Sequence, residues 1–163
     1  LAEKADIISN AIDFARILGV EVPRVAIISA VETGNPSLPS TLDAAALCKM
    51  ADRRQITGGI LDGPLAFDNA ISMQAAQIKD INSPVAGQAD ILAVPDLESG
   101  NMLAKQLDYL AGASSSGIVL GARVPIALTS RAEGPQARVA SALLSRLVAH
   151  HRSRTAASES SVG

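Results

Sequence analysis

Residues 129–131 read Thr-Ser-Arg, and a helical pattern opens at Pro135. A hydroxyl, a guanidinium and a helix start in this order suit an anion. The first N–H groups of a helix are unpaired and carry partial positive charge. Arg131 adds a planar fork that can hold two oxygens of a phosphate. The same stretch has a structural alternative. Ser130-x-x-Glu133 has the form of a capping box, with Ser130 as N-cap and Glu133 at the third helical position. Both readings stand at this point.

Other groups invite the same double reading. Ser99-Gly100-Asn101 opens a helical pattern directly after Asp96 and Glu98. Gly100 permits close approach of a ligand and Asn101 can bond one. Alternatively, Ser99 and the two acids cap the helix. Asp62-Gly63-Pro64, followed by Asp68, places two carboxylates near one strand end, as acid–base chemistry requires. A turn residue and a solvated first-turn carboxylate account for them as well. Ser83-Pro84-Val85-Ala86-Gly87 is a small-residue loop that can line a pocket or simply connect two elements. Cys48 lies in a helical pattern among Ala45, Leu47 and Met50 and reads as a core thiol. His150 and His151 are adjacent near the C-terminus, a poor place for a zinc ligand or a triad base. Neither GxGxxG nor a Walker loop precedes a helix.

The elements that must position these groups follow from periodicity. Ala5, Ile8, Ile12, Ala15 and Leu18 recur every three or four residues and mark a helix face, stopped at Gly19. Apolar runs at 25–28, 55–61 and 89–94 read as buried strands, the second ending in an Asp62-Gly63-Pro64 turn. Helices are expected at 41–52 with Ser40 as cap, at 67–78, from 99 to Gly112, and at 135–150. Two strand-like runs, 117–121 and 124–129, are separated by Ala122 and Arg123 alone. A parallel crossover needs about a dozen residues. These runs are therefore antiparallel neighbours, or the chain passes from one sheet to another. The order predicts an α/β fold, a mostly parallel sheet with helices on both faces. Ligands of such sheets bind beyond the carboxyl ends of the strands.

Composition narrows the function classes. The 163 residues carry a net charge of −2, with 48% hydrophobic, 18% charged and 2% aromatic residues and no Trp. Near-neutral charge and scarce aromatics argue against a nucleic-acid partner. No apolar run reaches the ~20 residues of a membrane helix, so no membrane partner is expected. One cysteine permits no internal disulfide and fits a reducing compartment. The first ten residues include Glu3, Lys4 and Asp6 and do not read as a signal peptide. A cytoplasmic location is the expectation. Leu1 in place of an initiator Met points to a piece of a longer protein.

Five segments in order carry a family resemblance: 40–47 (STLDAAAL), 60–68 (ILDGPLAFD), 83–87 (SPVAG), 94–101 (VPDLESGN) and 124–131 (VPIALTSR). The chain resembles the phosphate acetyltransferase and phosphate butyryltransferase family from residue 1 to about 150. The wording around Ser130 is closest to the butyryltransferase-like branch, which includes the acyltransferase half of bifunctional proteins with an enoyl-CoA hydratase module. The resemblance implies the reversible reaction of acyl-CoA and phosphate to acyl phosphate and CoA. It implies no metal or organic cofactor, CoA being a substrate. It also implies a two-domain fold like that of isocitrate and isopropylmalate dehydrogenases, with the active site in the cleft. By that likeness, 1–116 is the middle α/β domain, 117–151 returns to the other domain of the cleft, and 152–163 is a disordered tail. The N-terminal half would be missing, the piece inactive alone, and its uncovered apolar surface prone to homo-oligomerise.

Ser130 and Arg131 match the family's Ser-Arg pair. The resemblance assigns Arg131 to the phosphoryl oxygens and Ser130 to the reacting phosphate or carbonyl oxygen. It places Asp62, Gly63, Ser83, Gly87, Asp96, Gly100 and Asn101 on the substrate and CoA side. Family acetyltransferases carry an Asp seven residues after the Ser as the base for the CoA thiol; here that position is Ala137. Glu133 is the nearest carboxylate and the candidate replacement. Two alternatives remain: an oxidoreductase of the related dehydrogenase fold, with Asp62, Asp68 and Asp96 as metal ligands, or a non-catalytic binding or oligomerisation domain.

Overall fold

A computed structural model describes residues 1–160. The chain divides into two compact units, Leu1–Asn101 and a second from Met102 onward. The boundary between the two units falls inside a helix, which no composition shift marks.

The first unit begins with α1 (Ala2–Ile17), whose buried residues Ala5, Ile8, Ile12 and Ala15 are the periodic set. It ends as the glycine predicts. Gly19 takes φ +97°, and the Val20 N–H returns to the Ala15 carbonyl at 3.1 Å. Next come β1 (Arg24–Ile28), α2 (Pro39–Asp52), β2 (Ile60–Leu65), α3 (Phe67–Ile71), α4 (Met73–Ile78) and β3 (Ile91–Ala93). The three strands form a parallel sheet in the order β2-β1-β3. Alternation along the central strand builds two cores. Val25 and Ile27 join Ala5, Ile8 and Ile12 of α1 and Ala44 and Leu47 of α2. Ala26 and Ile28 join Leu65, Ala70, Ala76, Val85 and Ala86. Helices therefore cover both faces of β1, as the α/β pattern requires.

Three local expectations are corrected here. The second strand lies at Ile60–Leu65, not at 55–61, and Asp62-Gly63-Pro64 is inside it rather than a turn after it. Gly63 is the reason. A Cβ there would stand 2.7 Å from the Ile27 Cβ and 2.9 Å from the Ile27 carbonyl oxygen, so only glycine lets β2 run this close to β1. Pro64 is tolerated because β2 is an edge strand. The helix expected at 67–78 is broken at Ser72, whose Oγ accepts from the Ala75 N–H at 3.2 Å and caps α4.

In the second unit, β4 (Gly117–Val119) and β5 (Ile126–Leu128) pair antiparallel, one of the two arrangements the short connection allowed. Helix α5 (Leu97–Leu110) enters this unit, and α6 (Pro135–Ser160) packs on both strands. Helix α6 continues to Ser160, through the described part of the stretch expected as a tail from residue 152. The remaining residues, 161–163, lie outside the described ones. Ser141, fully buried on α6, accepts the Gly117 N–H at 3.0 Å and ties the helix to β4.

Candidate active site

The Thr129–Gly134 stretch is a tight turn, not a capping box. The Glu133 N–H donates to the Ser130 carbonyl at 3.1 Å. Helix α6 starts at Pro135, so Ser130 lies too early to cap it; the Gly134 carbonyl takes the first helical bond, from Arg138 at 3.4 Å. Pro135 explains the late start, because proline suits the first helical position. The turn holds Arg131 at its tip, exposed and, among the described residues, without a hydrogen-bond or ion-pair partner. Ser130 is half-buried, and its Oγ accepts the Ala132 N–H at 3.4 Å. Its own hydroxyl proton remains available to donate.

Glu133 faces elsewhere. Its Oε2 is buried with no hydrogen-bond partner among the described residues. It lines a cavity of about 460 Å³, along with Lys105, Asp108 and Tyr109 of α5, the 114–116 serines, and Ala137 and Ala140 of α6. Ser130 and Arg131 are not among the lining residues. Sequence reading singled out Glu133 by its distance from Ser130, but not Lys105, Asp108, Tyr109 or the serines. The run of three serines was the only local signal for them.

In the first unit, most of the residues that the resemblance assigned to binding have internal partners. The Asp62 Oδ1 accepts the Gly63 N–H at 2.9 Å. The Ser83 Oγ accepts the N–H groups of Val85 and Ala86, each at 3.0 Å, and shapes its own loop. Gly87 takes φ +78°, and a Cβ there would fall 2.5 Å from the Met73 Cα. Gly100 similarly lets α5 pass the Val94 side chain, 2.8 Å from where a Cβ would sit. Asp96 caps α5: its Oδ1 accepts from the Ser99 N–H at 2.7 Å and the Ser99 hydroxyl at 2.8 Å. These bonds, the backbone one first, hold its carboxyl below the ordinary Asp value. Asn101 is exposed.

Two features of this unit were not singled out from sequence. Lys79 Nζ lies 3.0 Å from Asp68 and 3.4 Å from Glu32, and buried Asn69 donates to the same Glu32 oxygen at 3.3 Å. The Lys79 hydrogen bond holds the Asp68 carboxyl below its ordinary value. An apolar cavity of about 380 Å³ lies among Ile7, Ile8, Ile27, Leu47, Ile91 and Leu92, with the Lys4–Asp43 ion pair at its lining. Burial pushes the Cys48 thiol up to about 12, with Asp62 and Asp52 adding to the effect. Among the described residues, no group of three or more His, Cys, Asp or Glu side chains is placed to hold a metal ion. No helix among them is long and apolar enough to cross a membrane.

A parallel α/β unit and a second unit with an exposed Ser-Arg turn define the class in structural terms. Comparison with known proteins gives the family. The model of the phosphate acetyl/butaryl transferase family matches residues 1–145, and the chain belongs to that family. It is 62% identical over 152 residues to a phosphate acetyltransferase of Rhizobium meliloti, covering 93% of this chain and 48% of the relative. It is 47% identical over 152 residues to a phosphate butyryltransferase of Clostridium acetobutylicum, covering 93% of this chain and 50% of the relative. Among solved structures, it resembles a branched-chain phosphotransacylase from Enterococcus faecalis V583, with a TM-score of 0.80 at 34% identity, covering 90% of this chain and 52% of the other. The chain thus spans about half the length of these relatives.

Proposed function

We propose that this chain forms one half of an acyl-CoA:phosphate acyltransferase, whose reaction converts acyl-CoA and phosphate to acyl phosphate and CoA. The observation that carries the reading is the unpartnered Arg131 guanidinium beside Ser130, in a family of phosphate acyltransferases. In the complete polypeptide the fold would be the two-domain, dehydrogenase-like one, with the site in its cleft. The 163 residues alone would be inactive.

In the direction of acyl-CoA formation, the CoA sulfur attacks the carbonyl carbon of the acyl phosphate. The C–S bond forms, the C–O bond to phosphorus breaks, and phosphate leaves. Arg131 has no internal partner to give up, so its fork is free to pair two phosphoryl oxygens. The Ser130 hydroxyl, with the Ala132 N–H fixing its oxygen, donates to the oxygen that gains charge. For Glu133 to accept the thiol proton, its side chain must turn from the cavity it lines toward Ser130 and Arg131. A thiol with a pKa of roughly 8.5 needs less help from a base than an alcohol would. On the CoA side, Asn101 and the second oxygen of Asp62 are the groups to test first. The Ser83, Gly87 and Asp96 groups already serve the fold.

The test is Arg131→Ala in the complete polypeptide. The expected result is a phosphate KM raised by roughly 10²-fold, with Arg131→Lys intermediate, because Lys cannot make the bidentate contact. Stability should move by less than about 0.5 kcal/mol, since the side chain is exposed. Unchanged phosphate kinetics would refute the assignment.

A further inference from the structure

Charge and hydrogen bonding decide which part of the reactants fits the 460 Å³ cavity of the second unit. Its apolar lining is small, the methyl groups of Ala113, Ala132, Ala137 and Ala140. Its charged lining is two carboxylates, Asp108 and Glu133, against the one ammonium of Lys105. That ammonium already faces Asp108, 3.5 Å away. The Glu133 Oε2 is buried and, among the described residues, without a donor. Phosphate and the diphosphate end of CoA are anions, and walls of net negative charge repel them. A plain hydrocarbon tail suits the alanines but seals Oε2 away from every donor, at the desolvation cost of that oxygen. A short chain that carries a donor hydrogen satisfies both kinds of wall.

We infer that this cavity is the acyl pocket, and that the acyl group it selects bears a hydroxyl whose proton goes to the Glu133 Oε2. The distance along the chain fits. Arg131 and Glu133 are two residues apart, so their Cα atoms lie within roughly 7 Å. Ala132, between them, lines the cavity. With its phosphate held at Arg131, an acyl group of about four carbons spans that distance and brings a hydroxyl on its third carbon to the carboxylate. Ala137 contributes room. The Asp that the resemblance puts there in acetyltransferases would occupy part of the cavity and add a third carboxylate to its wall. The inference rests on the acyltransferase reading, but not on Glu133 serving as the base, because the carboxylate does this in the place it occupies.

The test is a binding measurement on the complete polypeptide without CoA, so that no transfer occurs. Titration calorimetry compares butyryl phosphate with 3-hydroxybutyryl phosphate, which has the same chain length. The hydroxylated compound should bind roughly tenfold or more tightly, because a site with a buried polar group disfavours the analogue that leaves it unpaired. Glu133→Leu should abolish that difference. Glu133→Gln keeps an acceptor oxygen and should retain most of it. Ala140→Leu fills the cavity from α6. It should weaken both four-carbon compounds by roughly tenfold and leave acetyl phosphate unchanged. Equal affinities in the wild type, a difference that survives Glu133→Leu, or unaltered binding in Ala140→Leu would each overturn the inference. The base role is read apart, from turnover. Full turnover in Glu133→Gln with the hydroxyl preference kept rejects the base and keeps the pocket. Failure of all three acyl phosphates to bind would reject the acyltransferase reading, and the pocket with it.

Discussion

Glu133, in the turn before α6, and Ala137, in the first turn of α6, line the same cavity. The carboxylate therefore shares its surroundings with the position where the resemblance puts an Asp in the acetyltransferases. Because the Glu133 Oε2 is shielded and has no partner, a proton donor must enter the cavity to reach it. This predicts that Glu133→Gln in the complete enzyme lowers turnover by roughly 10²–10⁴ while leaving the phosphate KM in place. The structure removes the confounding role, since Glu133 is not in a capping box. Adding Ala137→Asp to Glu133→Gln should recover part of the loss. Steady-state kinetics of both variants decide it: unchanged turnover in the single variant would exclude Glu133 as the base.

Gly87 and Gly34 should respond oppositely to alanine. At Gly87 the backbone is left-handed at φ +78°, and a Cβ would collide with the Met73 backbone. Gly87→Ala should cost about 2 kcal/mol or more by denaturant unfolding. At Gly34 a Cβ meets nothing within 4 Å. Gly34→Ala should stay within about 0.5 kcal/mol of wild type. Equal stabilities would contradict the close approach of residue 87 to α4.

Legibility in the sequence followed the range of the physics. Strand β1 and the hairpin were readable because a short apolar run between turn signals is a local pattern. The position of β2 was not, because Gly63 and Pro64 look like a turn until Ile27 and Ala44 are packed against them. Likewise Ser130-x-x-Glu133 fits a capping box in sequence, and only Pro135 at the true helix start decides against it. Glu133 could be named from its spacing. The cavity it faces could not, since α5, the serine loop and α6 are brought together by tertiary packing.

Cys48 should be inert in the folded chain. Its thiol lies 3.7 Å from the Gly63 carbonyl oxygen, and burial pushes it up to about 12 from the ordinary value of 9.0. Reaction needs the thiolate, so iodoacetamide at pH 8 should label Cys48 only after denaturation. The raised value also sets a sign. The unfolded thiol ionises first, so this group's contribution is fully present below about 9 and is lost as pH rises toward about 12. Cys48→Ala should show a shallower alkaline decline in unfolding midpoint. Rapid labelling of the native chain would contradict the shielding of this half-buried thiol.

Asp96 and Ser99 supply the opposite pH dependence at the start of α5. Two hydrogen bonds from Ser99 favour the ionised carboxylate, and the N-terminal helix field adds to them. With the folded value lowered from 3.8, the unfolded chain protonates first as pH falls. The contribution is therefore present above the ordinary value and is lost as pH falls through the lowered one. Asp96→Asn keeps a capping oxygen but removes the titration. The variant should be somewhat less stable at pH 7 and should lose the part of the acid limb that Asp96 provides. Ser99→Ala should bring the Asp96 value back toward 3.8 by removing the hydroxyl bond while leaving the backbone one. A carboxyl carbon NMR titration of Asp96 in wild type and in Ser99→Ala measures this directly. Identical titration curves would show that the Ser99 hydroxyl does not hold the carboxylate.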